Sequence, residues 1–328
     1  MGSNAPAPFV EIAFGCDAGY LQPLTVAVAS VVAHARAASR LRFWILSDSL
    51  AAHNAGPLLQ VVADAGATIG FVPVHEARRQ LSSIPLSEHL TEATYYRLLV
   101  PQLLPSDVDR AIYLDCDLLV RHPIEELWEE DLRGRPTAAV LNPAGRKLDL
   151  LGLRRADDYF NAGVLVLDLQ AWRGQRIAER ALAFALEHPG ELPCQDQDAL
   201  NQVHAGNWHR LDLRWNQQSK FFDHSAADLQ VSVAALRAAR TRPFIVHFTS
   251  TAKPWHDRNA HPWRRDYYRY LDRTPFRGWR AEPPSLGQRL VQAMPPPLRP
   301  DAVRRRVGSP VRALRLLLRR ARSAAPSG

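Results

Sequence analysis

Seven short apolar runs alternate with helix-length segments up to residue 271, and that rhythm constrains the fold more than any other feature of the chain. The runs occupy 9–15, 41–46, 67–74, 111–114, 137–141, 163–167 and 244–248. β-Branched, aromatic and aliphatic residues dominate them, as they do in strands. Helical patterns read at 18–35, 50–65, 172–187, 198–205 and 226–238, with one more at 263–271. Alternation of this kind builds a mostly parallel central sheet with helices on both faces. The expected class is therefore α/β. No internal repeat interrupts the pattern. The chain has 328 residues, 46% of them apolar, enough for one large domain or two small ones.

The run 111–114 ends in Asp115-Cys116-Asp117. On an extended chain residues i and i+2 face the same side, and open α/β sheets bind ligands beyond the carboxyl ends of their strands. Two converging carboxylates repel unless a positive charge lies between them, and a divalent cation is the natural candidate. Taken alone, the triplet is equally compatible with two solvated loop aspartates. The wider chain tilts the balance. Neither G-x-G-x-x-G nor G-x-x-x-x-G-K-[ST] occurs, so no glycine-rich cradle is available for phosphates. A metal held by carboxylates, helped by a basic side chain, is the remaining common solution. Only three of the 41 basic residues are lysines, and Lys253 follows His247 just beyond the run 244–248. His247 could complete a metal site with Asp115 and Asp117, and Lys253 could reach phosphates. A single histidine after a strand is more often structural.

Cys16, Cys116 and Cys194 form no C-x-x-C pair, which argues against a disulfide framework or a zinc cage and fits a reducing compartment. The opening Met1-Gly2-Ser3-Asn4-Ala5-Pro6 lacks the basic region of a secretory signal. Residues 18–35 carry no charge and are barely long enough to cross a bilayer. They contain Gln22, Pro23, Thr25, Ser30 and His34, and read better as a packed helix. These features together predict a cytoplasmic protein.

The net charge of +8 is concentrated at one end. Residues 283–328 hold ten arginines and one acid, a balance of +9, which leaves the other 282 residues at −1. This predicts three parts: a catalytic domain over 1–275, a proline-rich linker over 276–308, and a basic amphipathic tail over 309–328. In the tail Ser309 and Pro310 suit a helix start. Val311, Leu314, Leu318 and Ala321 share one face, alongside Arg312, Arg315, Arg319 and Arg322. Such a helix suits an anionic membrane surface. Nucleic acid is not expected as a partner, because the tail has no aromatic residue for base stacking and the body has no basic face.

Further segments carry a family resemblance. They are Phe14-Gly15-Cys16-Asp17, Tyr95-Tyr96-Arg97-Leu98, Tyr113–Val120, Tyr159-Phe160-Asn161-Ala162-Gly163-Val164, Gln195-Asp196-Gln197-Asp198 and His247–His256. In this order, over roughly residues 9 to 270, they resemble family 8 of the glycosyltransferases, and in particular bacterial lipopolysaccharide α-galactosyltransferases. The resemblance implies a GT-A fold, a UDP-sugar donor, and Mn²⁺ with Mg²⁺ as the alternative. It also implies sugar transfer with retention of anomeric configuration. By position, Asp115, Asp117 and His247 would bind the metal, and Asp115 and Lys253 would serve the diphosphate. Asp17 would touch uridine, Arg97 the donor and Asn161 the donor sugar. Asp196 and Gln197 would lie near the reacting carbon. An amide is a poor nucleophile, so Gln197 favours same-face attack over a covalent intermediate. Asp196 or Asp198 stays open as a nucleophile, and Asp suits a helix N-cap as well.

Three departures stand out: Ala18-Gly19 after Asp17, Ser250 in place of a glycine, and Asn142 near where relatives place an aspartate on the sugar. The expected function is hexose transfer, galactose or glucose, to a lipopolysaccharide, lipid-linked or other cell-surface glycan at the inner membrane face. The rivals are a metal-dependent nucleotide hydrolase and a non-catalytic nucleotide-sugar-binding protein docked by its tail. A glycosidase using Asp115 and Asp117 ranks last, since it leaves His247 and Lys253 without a task.

Overall fold

The computed structural model describes residues 9–78, 92–142, 150–153, 155, 158–249, 251, 253–256 and 259–280. The predicted tail helix and most of the predicted linker lie outside these residues, as does Ser250. Among the described residues the strands are β1 Val10–Gly15, β2 Leu41–Leu46, β3 Thr68–Val72, β4 Arg110–Leu114, β5 Leu118–Val120, β6 Thr137–Leu141, β7 Phe160–Asp168, β8 His209–Arg210, β9 Gln217–Gln218 and β10 Ile245–His247. The helices are α1 Leu21–His34, α2 Gly56–Asp64, α3 His75–Arg78, α4 Tyr96–Leu103, α5 Ile124–Trp128, α6 Leu169–Gly174, α7 Ile177–Glu187, α8 Gln195–His204, α9 Val233–Thr241 and α10 Arg264–Leu271. Met1–Pro254 and Arg258–Trp279 form one compact unit, and Trp255–Asp257 with Arg280–Gly328 a second. All the elements named here belong to the first.

The main sheet has the order β3-β2-β1-β4-β7-β6-β8. Strands β3, β2, β1 and β4 run parallel, β7 is antiparallel to both neighbours, and β8 is parallel to β6. One strand of seven is therefore reversed, and the sheet is mostly parallel as the alternation predicts. Its middle strands are buried on both faces, which is why β4 and β7 read as unbroken apolar runs rather than alternating ones. A smaller sheet of β5-β10-β9 lies in the same unit. Helices α1, α2 and α10 pack as one group, and α4, α6, α7 and α8 as another.

Local chemistry explains most boundaries. Pro23 falls in the first turn of α1, where its missing N–H is no loss. Residues Pro23 to Val31 are all buried, so the uncharged stretch is a core helix. No helix among the described residues is long and apolar enough to cross a membrane. The predicted helix over 172–187 is two helices, broken at Arg176, whose φ of 52° puts it in the left-handed region.

Candidate active site and metal centre

The site begins as an irregularity between two strands. β7 pairs with β6 as Ala139 opposite Leu165, then jumps to Val140 opposite Asn161. Three residues of β7, Ala162 to Val164, are thus extra on that side, a bulge that re-aims the strand. On its other side β7 stays in register with β4, and the bond from Asp115 N–H to the Gly163 carbonyl (2.8 Å) continues the ladder past Leu114. The bulge brings Gly163 against two functional side chains. A Cβ on Gly163 would collide with His247 Cε1 and lie 2.5 Å from Asp115 Oδ2. Only glycine fits, and that accounts physically for the F-N-A-G segment.

Asp115 and Asp117 do not share a strand face, contrary to the pleat argument. They lie in the connection where the chain leaves β4 for β5, and so passes from one sheet to the other. They converge nonetheless. His247, at the end of β10, places Nε2 3.2 Å from Asp117 Oδ1 and 3.5 Å from Asp115 Oδ2. One ligand atom from each of the three residues falls within 4.8 Å of the others. Two carboxylate oxygens and an imidazole nitrogen form a donor set suited to Mn²⁺ and similar divalent ions. Cys116 turns the other way, with Sγ 3.7 Å from the Gly15 carbonyl oxygen.

Basic side chains brace this acidic pair. Lys253 Nζ lies 2.5 Å from Asp117 Oδ2 and donates to the Phe248 carbonyl at 2.8 Å. Burial works against the charge on Asp117, but Lys253 and His247 outweigh it and hold the carboxyl well below its usual range. Arg97, buried on α4, donates to the Thr94 carbonyl (3.0 Å), the Ala162 carbonyl (2.5 Å) and Asp115 Oδ1 (2.9 Å). Its Nε also lies 2.9 Å from Asp196 Oδ2. That Asp196 oxygen makes no aligned hydrogen bond, so the pair is held by charge. Arg97 is thus a strut joining the acidic pair, the bulge and α8, with most of its donors committed inside the protein.

From His247 a chain of hydrogen bonds runs to the start of α8. His247 Nδ1 lies 3.0 Å from Asn216 Oδ1. Asn216 Nδ2 donates to Asn161 Oδ1 (2.8 Å), and Asn161 Nδ2 donates to Gln197 Oε1 (3.0 Å). Gln197 Nε2 donates to the Tyr159 hydroxyl (2.8 Å), which donates to Asp198 Oδ1 (2.5 Å). Asp198 Oδ2 accepts from the Cys194 N–H at 2.7 Å. Asp198 thus caps α8 from inside the first turn rather than from the N-cap position. Gln197 Oε1 also accepts from the Ala162 N–H at 3.1 Å, so both of its lone pairs are used.

Of the predicted residues, Asp115, Asp117, His247, Lys253, Arg97, Asp196, Gln197 and Asn161 come together here. Asp17 lies at the end of β1, where it caps a short helical turn by accepting from the Gly19 N–H at 2.9 Å. The sequence reading missed Asn216, and it held Tyr159 only as part of a family segment without a role. Asn216 stands in the polar run Asn216-Gln217-Gln218, all of it buried, and a buried amide cluster was the available signal.

An α/β sheet with an acidic pair at the end of a central strand, faced by a histidine and a lysine, agrees with the GT-A fold that the resemblance implies. The chain belongs to glycosyl transferase family 8, whose pattern matches residues 11–259. It is 30% identical over 266 residues to General stress protein A of Bacillus subtilis, covering 79% of this chain and 92% of that one. It is 26% identical over 293 residues to the Lipopolysaccharide 1,2-glucosyltransferase of Escherichia coli, covering 86% and 82%. The structure superposes on the galactosyltransferase LgtC, solved with donor and acceptor sugar analogs, with a TM-score of 0.71 and 25% identity, covering 81% and 96%.

Proposed function

We propose that the protein is a metal-dependent retaining hexosyltransferase that moves galactose or glucose from a UDP-sugar to a lipopolysaccharide, lipid-linked or other cell-surface glycan. The observation that carries this reading is the convergence of Asp115, Asp117 and His247 beside Lys253, with the buried amides of Asn161 and Gln197 one bulge away. The named activities of the E. coli and LgtC relatives support the hexose and the acceptor class. Asp115, Asp117 and His247 would hold the ion, which when bound supplies Lewis-acid stabilisation to the departing diphosphate, worth several kcal/mol. Lys253 adds positive charge to the same phosphates. Asp17 serves the uridine end and Arg97 keeps Asp115 and Asp196 in place.

For retention, both Gln197 Oε1 lone pairs are engaged, and Asp198 is tied to Tyr159 and Cys194. This favours same-face substitution. The bond from the anomeric carbon to the phosphate oxygen breaks, and the leaving phosphate keeps the electron pair. The acceptor oxygen bonds to the same face, and its proton passes to the leaving phosphate. The linker at 276–308 and the tail at 309–328 would dock the catalytic domain on the inner face of the membrane.

The test is thermal shift across a panel of UDP- and other nucleotide sugars, each with Mn²⁺ and with EDTA. Wild type is expected to be stabilised by one UDP-sugar only when Mn²⁺ is present, and Asp117→Ala is expected to lose the effect. Lack of stabilisation by every nucleotide sugar overturns the transferase reading.

A further inference from the structure

We infer that Asn216 sets the tautomer of His247, and that Asp198 at the far end of the hydrogen-bond chain fixes the direction of the whole relay. The inference rests on the metal-site reading of Asp115, Asp117 and His247. Each link of the chain has only one workable polarity. Asp198 can only accept as a carboxylate, and it is anchored by the Cys194 N–H. Tyr159 must therefore donate to it. Burial raises Tyr159 well above the ordinary phenol range, so its hydroxyl keeps the proton it donates. With its proton spent on Asp198, the hydroxyl accepts from Gln197, so the Gln197 amide must point Nε2 toward Tyr159.

That orientation turns Gln197 Oε1 to Asn161 and Ala162. Asn161 then presents its oxygen to both Asn216 Nδ2 and the Gly163 N–H (3.0 Å). Asn216 is left with its oxygen facing His247 Nδ1 at 3.0 Å. An acceptor there calls for a proton on Nδ1, which reserves Nε2 as the nitrogen that can give its lone pair to a cation between the two carboxylates. Nε2 is thus the nitrogen that faces the two carboxylates, 3.2 Å from Asp117 Oδ1 and 3.5 Å from Asp115 Oδ2. Metal-ligating histidines are held in this way by their second nitrogen. The unusual feature is the length of the relay, which passes through four residues before reaching a charge at Asp198.

The variants separate polarity from shape. Asn216→Leu removes the acceptor and Asn216→Asp keeps it. Asp198→Asn keeps the shape but leaves one oxygen for two donors, the Cys194 N–H and the Tyr159 hydroxyl. Mn²⁺ affinity by electron paramagnetic resonance is expected to fall about 10–100-fold in Asn216→Leu, to fall less in Asn216→Asp, which keeps the acceptor for His247 but loses the donor to Asn161 Oδ1, and to fall severalfold in Asp198→Asn. Long-range ¹⁵N–¹H spectra of the metal-free protein are expected to show a proton on His247 Nδ1 in wild type, whichever state Nε2 is in. In Asn216→Leu the population should shift toward Nε2.

A wild-type His247 whose Nδ1 carries no proton overturns the inference, as does an Asn216→Leu protein that is folded and binds Mn²⁺ like wild type. The spectra need neither metal nor sugar. A failure of the transferase reading therefore leaves this test standing, and the reverse also holds.

Discussion

Asp196 lies 2.9 Å from the Arg97 guanidinium, yet it does not behave as a comfortable ion pair. Burial pushes its carboxyl up, Arg97 pulls it back and Asp115 adds to the rise, which leaves it at about 7. A carboxyl raised in this way binds its proton better folded than unfolded. Its stabilising contribution is complete below the unfolded value of about 3.9 and is lost as pH rises through 7. Between pH 5 and 8 the metal-free protein should lose about 2–3 kcal/mol from this group. Asp196→Asn has no such proton to lose. Urea unfolding of both proteins in EDTA should therefore show the variant gaining on wild type by about that amount between the two pH values. A difference that stays constant with pH would show that the site keeps Asp196 ionised throughout. At this scale Asp115, Asp117, His247 and Lys253 were legible from charge and position, whereas Arg97 and Asp196 came only with the family resemblance. The tasks of Asn216 and Tyr159 were not legible, since they exist only through contacts 31 to 55 and 38 to 39 residues away along the chain.

Among the secondary-structure elements, α1 and β5 are joined by one polar contact inside an apolar interface. Ser30 Oγ donates to the Ala27 carbonyl at 2.6 Å and accepts the Val120 N–H at 2.8 Å. Val120 ends the strand that starts just after Asp117, so the bond pins the acidic pair's connection to α1. Ser30→Ala leaves a buried N–H without a partner, which costs about 1–3 kcal/mol. The expected outcome is a lower urea midpoint with an unchanged slope, since the loss is local and the folded surface stays the same. An unchanged midpoint would mean that water or a backbone shift satisfies Val120.

The elements visible in the sequence were the long apolar runs, and β2 and β6 match their predicted spans. The missing ones were short: β5, β8 and β9 have two or three residues each, too few for a period to show. Helix α4 was hidden for another reason. Pro101 lies inside it, and a proline reads as a helix breaker. The bulge in β7 left no trace beyond Gly163 itself.

For the whole molecule, the distribution of charge lets the proposed membrane docking be tested apart from the chemistry. The site is assembled from residues 97–253, in the first compact unit. The balance of +9 over residues 283–328 sits on a body close to neutral. Near an anionic leaflet each arginine contributes about 1 kcal/mol, weakened as salt shortens the range of the attraction. Leucines on the opposite face of the predicted helix would add apolar burial that salt does not screen. Truncation after Arg280 should therefore keep the Mn²⁺-dependent thermal shift with UDP-sugar and lose sedimentation with vesicles containing phosphatidylglycerol. In the full chain, raising the salt should release most of the vesicle-bound protein and leave a residue held by the leucines. Tail variants with Arg312, Arg315, Arg319 and Arg322 changed to Gln should bind vesicles little better than the truncated chain. Vesicle binding that survives truncation would move the docking surface onto the catalytic domain. A lost thermal shift would instead make the C-terminal residues part of the donor site.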